Sequence, residues 1–356
     1  MELYHHAQPP FTRWIVERDL LREPFVVIDA GVQGGEHVRW GLLGDQVRVH
    51  GFDPIQEAID RITQRGEHPH RVYRALALGN EDGEREFHVP ANTYAATFYP
   101  FRPMAGGRNG DGAPGPRTVP IRRLDSLFAA GEIPLADHIK IDCEGFEPEV
   151  LRGARNYMTR SRILSVAAET DFLVWPAHAC NAFAEINALM VEQRLLVFDL
   201  NFYRRPRPTY VAARSKHPWP AADPMHDVPH FDVGQPRTFD FLFCRDLVAE
   251  DVDPKAFAAL PDDVAVPSTD KLIKAMINFE LHGLMDCAVD LAEHFRPRLA
   301  DRFDVDHAIG LLTQPPPHAR NTADVVECLR MVGALRGRAA EQEARLATFG
   351  ARGEGK

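Results

Sequence analysis

The chain has 356 residues, 45% of them hydrophobic, which is enough for one large domain with an extension or for two domains. Its formal net charge is −10 and it has no long basic run, so a nucleic-acid backbone is excluded as the main partner. No apolar run reaches the roughly 18 residues that span a bilayer, no signal-peptide pattern opens the chain, and the five cysteines lack CxxC spacing, so we expect a cytoplasmic protein with reduced thiols.

The first ninety residues alternate apolar strands with helical patterns. An amphipathic stretch around Trp14–Leu21 predicts a helix within a lead-in over residues 1–24. Apolar or β-branched runs then predict four strands: Phe25–Ala30, Val47–Phe52, Val72–Leu78 and Glu84–Val89. Helical patterns follow the first strand to about Leu43 and the second strand over Ile55–Gln64. This alternation predicts a doubly wound, mostly parallel α/β sheet.

Residues 90–118 interrupt this rhythm with many Gly and Pro residues. The first half of this insertion also carries four aromatic side chains: Tyr94, Phe98, Tyr99 and Phe101. An insertion of this length in a compact domain is usually functional or disordered. The aromatic half could close over a substrate, and we expect residues 105–117 to be mobile.

The second half of the sequence completes the sheet and then becomes helical. Five further strands are predicted, at Val119–Arg122, Ile139–Asp142, Ile163–Ala168, Leu195–Leu200 and Phe239–Cys244. The sheet domain then covers residues 25–248, with helices at Leu124–Ala130 and Cys180–Gln193 and a Pro-rich loop over 204–237. Helix formers dominate the region 249–356, with helical patterns at Asp270–Phe295, Asp304–Leu312 and Thr322–Thr348. This region carries no recognisable chemistry.

The strand Ile139–Asp142 brings carboxylates to the ligand-binding edge of the sheet. It ends in Asp142 and Glu144, and Gly145 then turns the chain into a helical pattern. In open α/β sheets, ligands bind outside the carboxyl ends of the strands. The neighbouring predicted strand ends at Glu169, so its carboxylate is expected near Asp142.

The first two strands end in a similar way. Asp29 precedes a loop with glycines at 31, 34 and 35, and Asp53 ends the second strand. A Gly-rich loop binds pyrophosphate in dinucleotide enzymes, but this loop lacks the G-x-G-x-x-G order, and a carboxylate at Asp29 would oppose a phosphate. A sulfonium or ammonium group would tolerate Asp29, and Asp53 suits a ribose diol because a carboxylate accepts two hydroxyl hydrogen bonds.

Four segments together resemble the successive motifs of FkbM-type S-adenosylmethionine-dependent methyltransferases. They are Asp29-Ala30-Gly31-Val32-Gln33-Gly34, Gly51-Phe52-Asp53-Pro54, Val119-Pro120-Ile121 leading to Leu124-Asp125-Ser126-Leu127, and Ile139-Lys140-Ile141-Asp142-Cys143-Glu144-Gly145-Phe146-Glu147 with Val150-Leu151-Arg152-Gly153-Ala154. The resemblance covers roughly residues 25–200, with the closing strand at 239–244. It departs from the family where Val32-Gln33 replaces the usual small residue and Asn, and at Asp53, where Glu is commoner.

The resemblance implies a Rossmann-like class I fold with an antiparallel closing strand, and an O-methyltransferase that uses S-adenosylmethionine. The implied acceptor is a hydroxyl of a glycan or of a secondary metabolite. Cofactor contacts are implied for Asp29, Gly31, Gln33 and Gly34 at the methionine moiety, Asp53 at the ribose, Leu76 and Ala77 at the adenine, and Asp142 at the transferring methyl. Asp142 is also the first catalytic candidate, and Glu144 and Glu169 are the second candidates.

Several alternatives stay open at this stage. Asp29 and Asp53 could be helix N-caps, Asp142 could bind loop amides, and Glu144 could bond the turn in which it sits. Asp142 and Glu169 could also hold a Mg²⁺ ion. A histidine of the Pro-rich loop, His226 or His230, could reach the cleft as a base. The other function classes are an NAD-dependent oxidoreductase on a related fold and a non-catalytic binding module.

Overall fold

A computed structural model describes residues 8–66, 68–90, 93–99, 116–171, 182–205, 235–254 and 267–314. The strands are β1 Phe25–Ala30, β2 Val47–Asp53, β3 Arg71–Ala75, β4 Ala77–Leu78, β5 Gly83–Phe87, β6 Arg117–Arg122, β7 His138–Ile141, β8 Ser165–Asp171, β9 Leu195–Arg205 and β10 Gln235–Arg245. The α-helices are α1 Pro10–Glu17, α2 Gln56–Thr63, α3 Leu124–Ala129, α4 Glu147–Gly153, α5 Arg155–Ser161, α6 Phe183–Glu192, α7 Leu247–Val252, α8 Thr269–Leu281, α9 Met285–His294, α10 Arg296–Leu299 and α11 Val305–Leu312. Short 3₁₀ helices occupy Val38–Gln46 and Thr93–Ala95.

A seven-stranded sheet organises the chain, with strand order β3-β2-β1-β7-β8-β10-β9. Five neighbouring strands pair in parallel, namely β3, β2, β1, β7 and β8. Strand β10 pairs antiparallel with both β8 and β9. The strand order reverses between β1 and β7, which is where ligands bind in doubly wound sheets. The expected fold, a mostly parallel sheet with an antiparallel closing strand and a helical C-terminal region, is confirmed.

The predicted third strand, Val72–Leu78, is wrong in its second half. The backbone N–H of Leu76 donates to the carbonyls of both Asp53 and Arg74, so the chain turns after Ala75. Ala77–Leu78 then pairs with β6 in a separate three-stranded sheet of order β4-β6-β5. Leu76 and Ala77 therefore lie just beyond the carboxyl end of β3, at the ligand-binding edge of the main sheet.

The sheet is buried on both faces by different parts of the chain. Alternate residues of β1 point to opposite faces, so Val26 and Ile28 pack with α3 to α6, whereas Phe25 and Val27 pack with α1, α8 and α9. The helices beyond residue 249 thus complete the hydrophobic core of the sheet itself. They do so largely through α8, whose residues from Leu272 to Leu281 are all buried.

Buried ionic groups attach α8 to the rest of the molecule. The Glu280 carboxylate accepts hydrogen bonds from the backbone N–H groups of Phe11 and Thr12 at 2.9 and 2.6 Å. Asp137 lies between the ammonium groups of Lys271 and Lys274, at 2.7 and 3.0 Å. These two lysines hold the pKa of Asp137 below its usual range against the opposing effect of burial. Removing one partner of such a buried pair typically costs about 3–5 kcal/mol.

The C-terminal helices differ in detail from the sequence-based prediction. The single helix expected over Asp270–Phe295 is two helices, α8 and α9, because Gly283 adopts a left-handed conformation with φ of +77° and ends the first one. The helix expected at Thr322–Thr348 lies outside the described residues. Within the described part of the chain, no helix is long and apolar enough to cross a membrane.

Candidate functional site

The loop after β1 is held tightly between the ends of β2 and β7. Gly31 has a φ of +83°, and a Cβ atom at this position would lie 1.9 Å from the carbonyl oxygen of Asp142. The Gly31 N–H donates to the carbonyl of Phe52 at 2.9 Å. Only glycine therefore fits here, because it has no Cβ and tolerates a positive φ.

Asp29, at the end of β1, is a buried carboxylate with an open hydrogen-bonding position. Its side chain is 4% exposed, and burial raises its pKa, with the charge of Lys140 opposing that rise. Within the described residues, its Oδ1 atom accepts no hydrogen bond, although the ammonium of Lys140 lies 3.4 Å away. A buried acceptor that lacks a hydrogen bond is costly even beside a cation, so this oxygen is suited to a ligand that donates a hydrogen bond.

Lys140 is a site residue that the sequence analysis missed. Its Nζ donates to the carbonyl of Gly31 at 3.0 Å and lies 3.4 Å from both Asp29 Oδ1 and Asp142 Oδ2. Burial alone would lower the pKa of Lys140, but Asp29 and Asp142 raise it above its ordinary value. The signal was present: a lysine in the apolar strand Ile139–Ile141 needs a buried partner.

Asp53 bonds the turn that follows β2 and also lines a cavity. Its Oδ1 accepts the Ile55 N–H at 2.8 Å, which fixes the turn between β2 and α2. Burial raises the pKa of Asp53 to about 6, although the Ile55 hydrogen bond and Lys140 oppose the rise. The sequence left open that Asp53 is a helix N-cap. Asp53 does bond the backbone just before α2, but the N-cap residue of α2 is Ile55.

A small cavity of about 140 Å³ lies at the carboxyl ends of β1 and β2. Its lining is mostly apolar and includes Phe52, Ile55, Leu76, Ala77, Phe87 and Phe98. Asp53 lines the same cavity. Phe98 and Tyr99, from the aromatic half of the insertion, pack on Phe146 at ring-centroid distances of 4.4 and 5.9 Å. Phe101, residues 105–115, His226 and His230 lie outside the described residues.

A large cavity of about 520 Å³ adjoins the small one. Its lining includes more ionisable side chains than that of the small cavity, among them Asp29, Arg39, His138, Lys140, Glu169, Asp240 and His282, together with Gly34 and Trp40. The two cavities share four lining residues: Gly31, Gln33, Tyr94 and Asp142. Asp142 therefore lies where the two cavities meet.

The Gln33 side chain is hydrogen-bonded to another segment of the protein. Its side-chain amide donates to the Thr93 carbonyl, and its Oε1 accepts from the Thr93 hydroxyl, both at 3.1 Å. These bonds connect the loop after β1 to the segment 93–99. Tyr94, in that segment, is 64% exposed and lines both cavities. The aromatic segment is thus held over the shared boundary.

The turn after β7 is bonded by a residue that the sequence analysis did not single out. Glu147 is fully buried and accepts hydrogen bonds from the N–H groups of Cys143 and Gly145 at 2.8 and 3.3 Å. Burial raises its pKa to about 8. Glu147 therefore provides the turn chemistry that was considered for Asp142 and Glu144. Glu144 has a left-handed φ of +52°, and its carbonyl accepts the Thr97 hydroxyl.

The three acids Asp142, Glu144 and Glu169 converge, with one oxygen of each within 4.8 Å of the others. The Asp142 side chain is 49% exposed. Burial and the neighbouring acids, first Asp142 and Glu147, raise the pKa of Glu169 to about 9. The ammonium of Lys140 lies 3.4 Å from Asp142 Oδ2 and would compete with the Mg²⁺ considered from the sequence for this carboxylate.

Comparisons with known proteins identify the central part of the chain. Residues 36–198 match the family model of the methyltransferase FkbM domain. The chain is 24% identical over 186 residues to the hexuronic acid methyltransferase AglP of Haloferax volcanii, covering 50% of this chain and 70% of the relative. The resemblance to the FkbM-type methyltransferase family is confirmed.

Similar solved structures include two methyltransferases. One is the methyltransferase FkbM of Methylobacillus flagellatus, with 13% identity and a TM-score of 0.33, covering 65% of this chain and 48% of that one. The other is the magnesium protoporphyrin IX methyltransferase of Synechocystis with bound S-adenosylhomocysteine, with 8% identity and a TM-score of 0.31, covering 66% and 80%.

Proposed function

We propose that this chain, whose residues 36–198 carry a methyltransferase FkbM domain, transfers a methyl group from S-adenosylmethionine to a hydroxyl of a glycan or secondary-metabolite acceptor. The observation that carries the proposal is the pair of adjoining cavities that share Asp142. The small cavity is lined by Phe52, Leu76 and Phe98 among others, and the large cavity carries more of the ionisable side chains. A methyl-transfer site needs this combination, because a nucleoside and a polar acceptor must meet at one point.

The small cavity supports binding of the adenosine portion. Its apolar wall includes Leu76 and Ala77, which suits the faces of an adenine ring. Asp53 provides the only carboxylate of β2 at this edge, and an ionised carboxylate accepts the two hydroxyls of a ribose. The remaining oxygen of Asp53 is available for this, since only Oδ1 bonds the Ile55 amide.

The large cavity supports binding of the methionine portion and of the acceptor. Asp29 presents a buried oxygen without a hydrogen bond from the described residues, and an ammonium group would compensate it. Gly31 lets the loop after β1 pack against the Asp142 carbonyl, and this loop lines both cavities. S-adenosylmethionine supplies an activated methyl group, and the protein must mainly align the acceptor and assist removal of its proton.

Asp142 is the first candidate for that proton transfer. It borders both cavities, and its carboxylate is half exposed, so an acceptor hydroxyl can reach it. The ammonium of Lys140 lies 3.4 Å from its Oδ2 atom. Glu169 is less suited to accept a proton at neutral pH, because its raised pKa of about 9 keeps it protonated.

Calorimetric titration of the full chain with S-adenosylhomocysteine tests the cofactor assignment. We expect saturable binding, and no binding would overturn the proposal. Incubation with methyl-labelled S-adenosylmethionine and hydroxyl-bearing acceptors then tests the reaction. We expect NMR of the product to show an O-methyl ether. Labelled product with methyl only on nitrogen or carboxylate would retain a methyltransferase but exclude O-methylation of a hydroxyl.

A further inference from the structure

Lys140 lies on the face of β7 that borders the large cavity. The residues on either side of it, Ile139 and Ile141, pack in the core on the opposite face, because successive side chains of a strand alternate. The strand register places Lys140 beside Asp29 of β1 and Ala167 of β8, which line the same cavity. The small side chain of Ala167 leaves room for the lysine on that side.

The position of the Lys140 ammonium is set by β1 and by the loop that follows it. The Nζ atom donates to the Gly31 carbonyl at 3.0 Å and lies 3.4 Å from Asp29 Oδ1. Gly31 is in turn bonded to the Phe52 carbonyl, and the Asp29 side chain is almost fully buried. The ammonium is therefore held at one place independently of Asp142.

The Asp142 carboxylate meets this fixed cation. Asp142 follows the last residue of β7, and its backbone N–H donates to the Ala30 carbonyl at 3.0 Å. Its side chain is half exposed, and among the described residues Lys140 is the one cation that forms an ion pair with it, at 3.4 Å from Oδ2. A half-exposed aspartate without such a partner samples several rotamers. The Lys140 ammonium favours the rotamers that direct Oδ2 towards the loop after β1.

Lys140 cannot itself take a proton from the acceptor. Burial would lower its pKa, but Asp29 and Asp142 raise that pKa above its ordinary value, so the amine stays protonated at neutral pH. A protonated amine only donates hydrogen bonds. Any part that Lys140 has in proton transfer is therefore exerted through Asp142.

We propose that Lys140 is a positioning residue, which holds the Asp142 carboxylate by Oδ2 so that its other oxygen, Oδ1, meets the acceptor hydroxyl. The acceptor proton passes to Asp142, and Lys140 keeps its own protons. The inference rests on the proposed function, because it requires Asp142 as the base. It gives a role in the reaction to a lysine that the sequence analysis missed.

A double-mutant cycle tests whether Lys140 acts through Asp142. Lys140→Met removes the ammonium and keeps an unbranched side chain. We expect it to lower kcat about 10–100-fold in the wild-type background, because a misplacement of about 1 Å can cost 10²-fold in rate. In the Asp142→Asn background, the same substitution should lower kcat less than about threefold, since the base is already absent. Equal fold changes in the two backgrounds would overturn the inference.

The rates are measured with saturating methyl-labelled S-adenosylmethionine, so that a change in cofactor affinity does not enter kcat. They are expressed per binding site for methylthioadenosine, which carries the same nucleoside but lacks the amino-acid end. Lys140→Met leaves Asp29 without its cation, and removing one partner of a buried pair can cost about 3–5 kcal/mol. If denaturant unfolding shows that this variant does not fold, the cycle is run in the Asp29→Asn background, which removes both charges of the pair.

Lys274→Met is the matched control. Lys274 also pairs with a buried carboxylate, Asp137 at 3.0 Å, and it lines neither cavity. The substitution should lower the free energy of unfolding and change kcat less than about twofold in either background. A loss of kcat in Lys274→Met as large as that in Lys140→Met would show that the loss of a buried cation, and not the position of Asp142, is responsible.

Failure of this inference is distinguishable from failure of the proposed function. A wild-type chain that binds no S-adenosylhomocysteine or methylates no hydroxyl would overturn the proposed function, and this inference with it. A wild-type chain that binds the ligand and methylates a hydroxyl, but shows equal fold changes in the cycle, would overturn only the role of Lys140.

Discussion

The two cavities beside Asp142 differ in how the chain builds them. The small cavity is lined by residues of β1 and β2 and by residues between 76 and 98, so most of its lining lies within a short stretch of sequence. The large cavity is lined by residues from Asp29 to His282, and several of its polar groups are far apart in sequence. The small cavity therefore depends mainly on neighbouring stretches of sequence, whereas the large cavity depends on the complete fold.

Gly31→Ala should have the largest effect, because it alters the boundary of both cavities at once. The added Cβ would lie 1.9 Å from the Asp142 carbonyl oxygen at a positive φ, so the backbone must move. We expect loss of S-adenosylhomocysteine binding and a fall of roughly 2–4 kcal/mol in the free energy of unfolding. Gly41→Ala is the control, since nothing lies within 4 Å of its Cβ position. Denaturant unfolding and calorimetry measure both effects.

Asp142→Asn replaces the carboxylate between the two cavities by an amide of the same shape. We expect kcat to fall about 10²–10⁴-fold, the usual contribution of a general base, with little change in affinity for S-adenosylhomocysteine. Glu144→Gln should change kcat less than about threefold, because Glu147 holds the turn around it. A larger kcat effect for Glu144→Gln than for Asp142→Asn would reverse the two roles.

The pH dependence of ligand affinity, compared between the wild type and Asp53→Asn, tests the role of Asp53 in the small cavity. The pKa of Asp53 is about 6, so its ionised form, which accepts the ribose hydroxyls, increases as the pH rises through 6. We expect wild-type affinity for methylthioadenosine to rise about tenfold between pH 5 and 7 and to be nearly constant in the variant. Because burial raises this pKa in the folded state, the contribution of Asp53 to stability falls as the pH rises from about 4 to 6. A flat profile in the wild type would contradict the ribose assignment.

Leu76→Ala should have the smallest effect. It removes apolar surface from the small cavity only. We expect both S-adenosylhomocysteine and methylthioadenosine to bind about three- to tenfold more weakly, in equal proportion. A selective loss of S-adenosylhomocysteine in this variant would mean that the nucleoside does not occupy the small cavity.

The sequence predicted those site features that follow from strand ends. Asp29, Asp53 and Asp142 each lie within one residue of the end of a strand whose pattern is visible locally, and parallel strand order brings such ends together. His138 and His282 could not be found this way, because they are 144 positions apart and meet only when α8 covers the sheet. Glu147 was missed for a different reason, since an acidic residue at the start of a helix is ordinary on its own.

The contact between Glu280 and the backbone of α1 joins residues 268 positions apart. Synthesis therefore produces the matched region 36–198 well before the helix that covers Phe25 and Val27. At roughly 5–20 residues per second, the roughly 80 residues from 198 to 281 take about 4–16 s to make. During that interval one apolar face of the sheet is open in the nascent chain, which makes this protein a candidate client of chaperones that bind during translation.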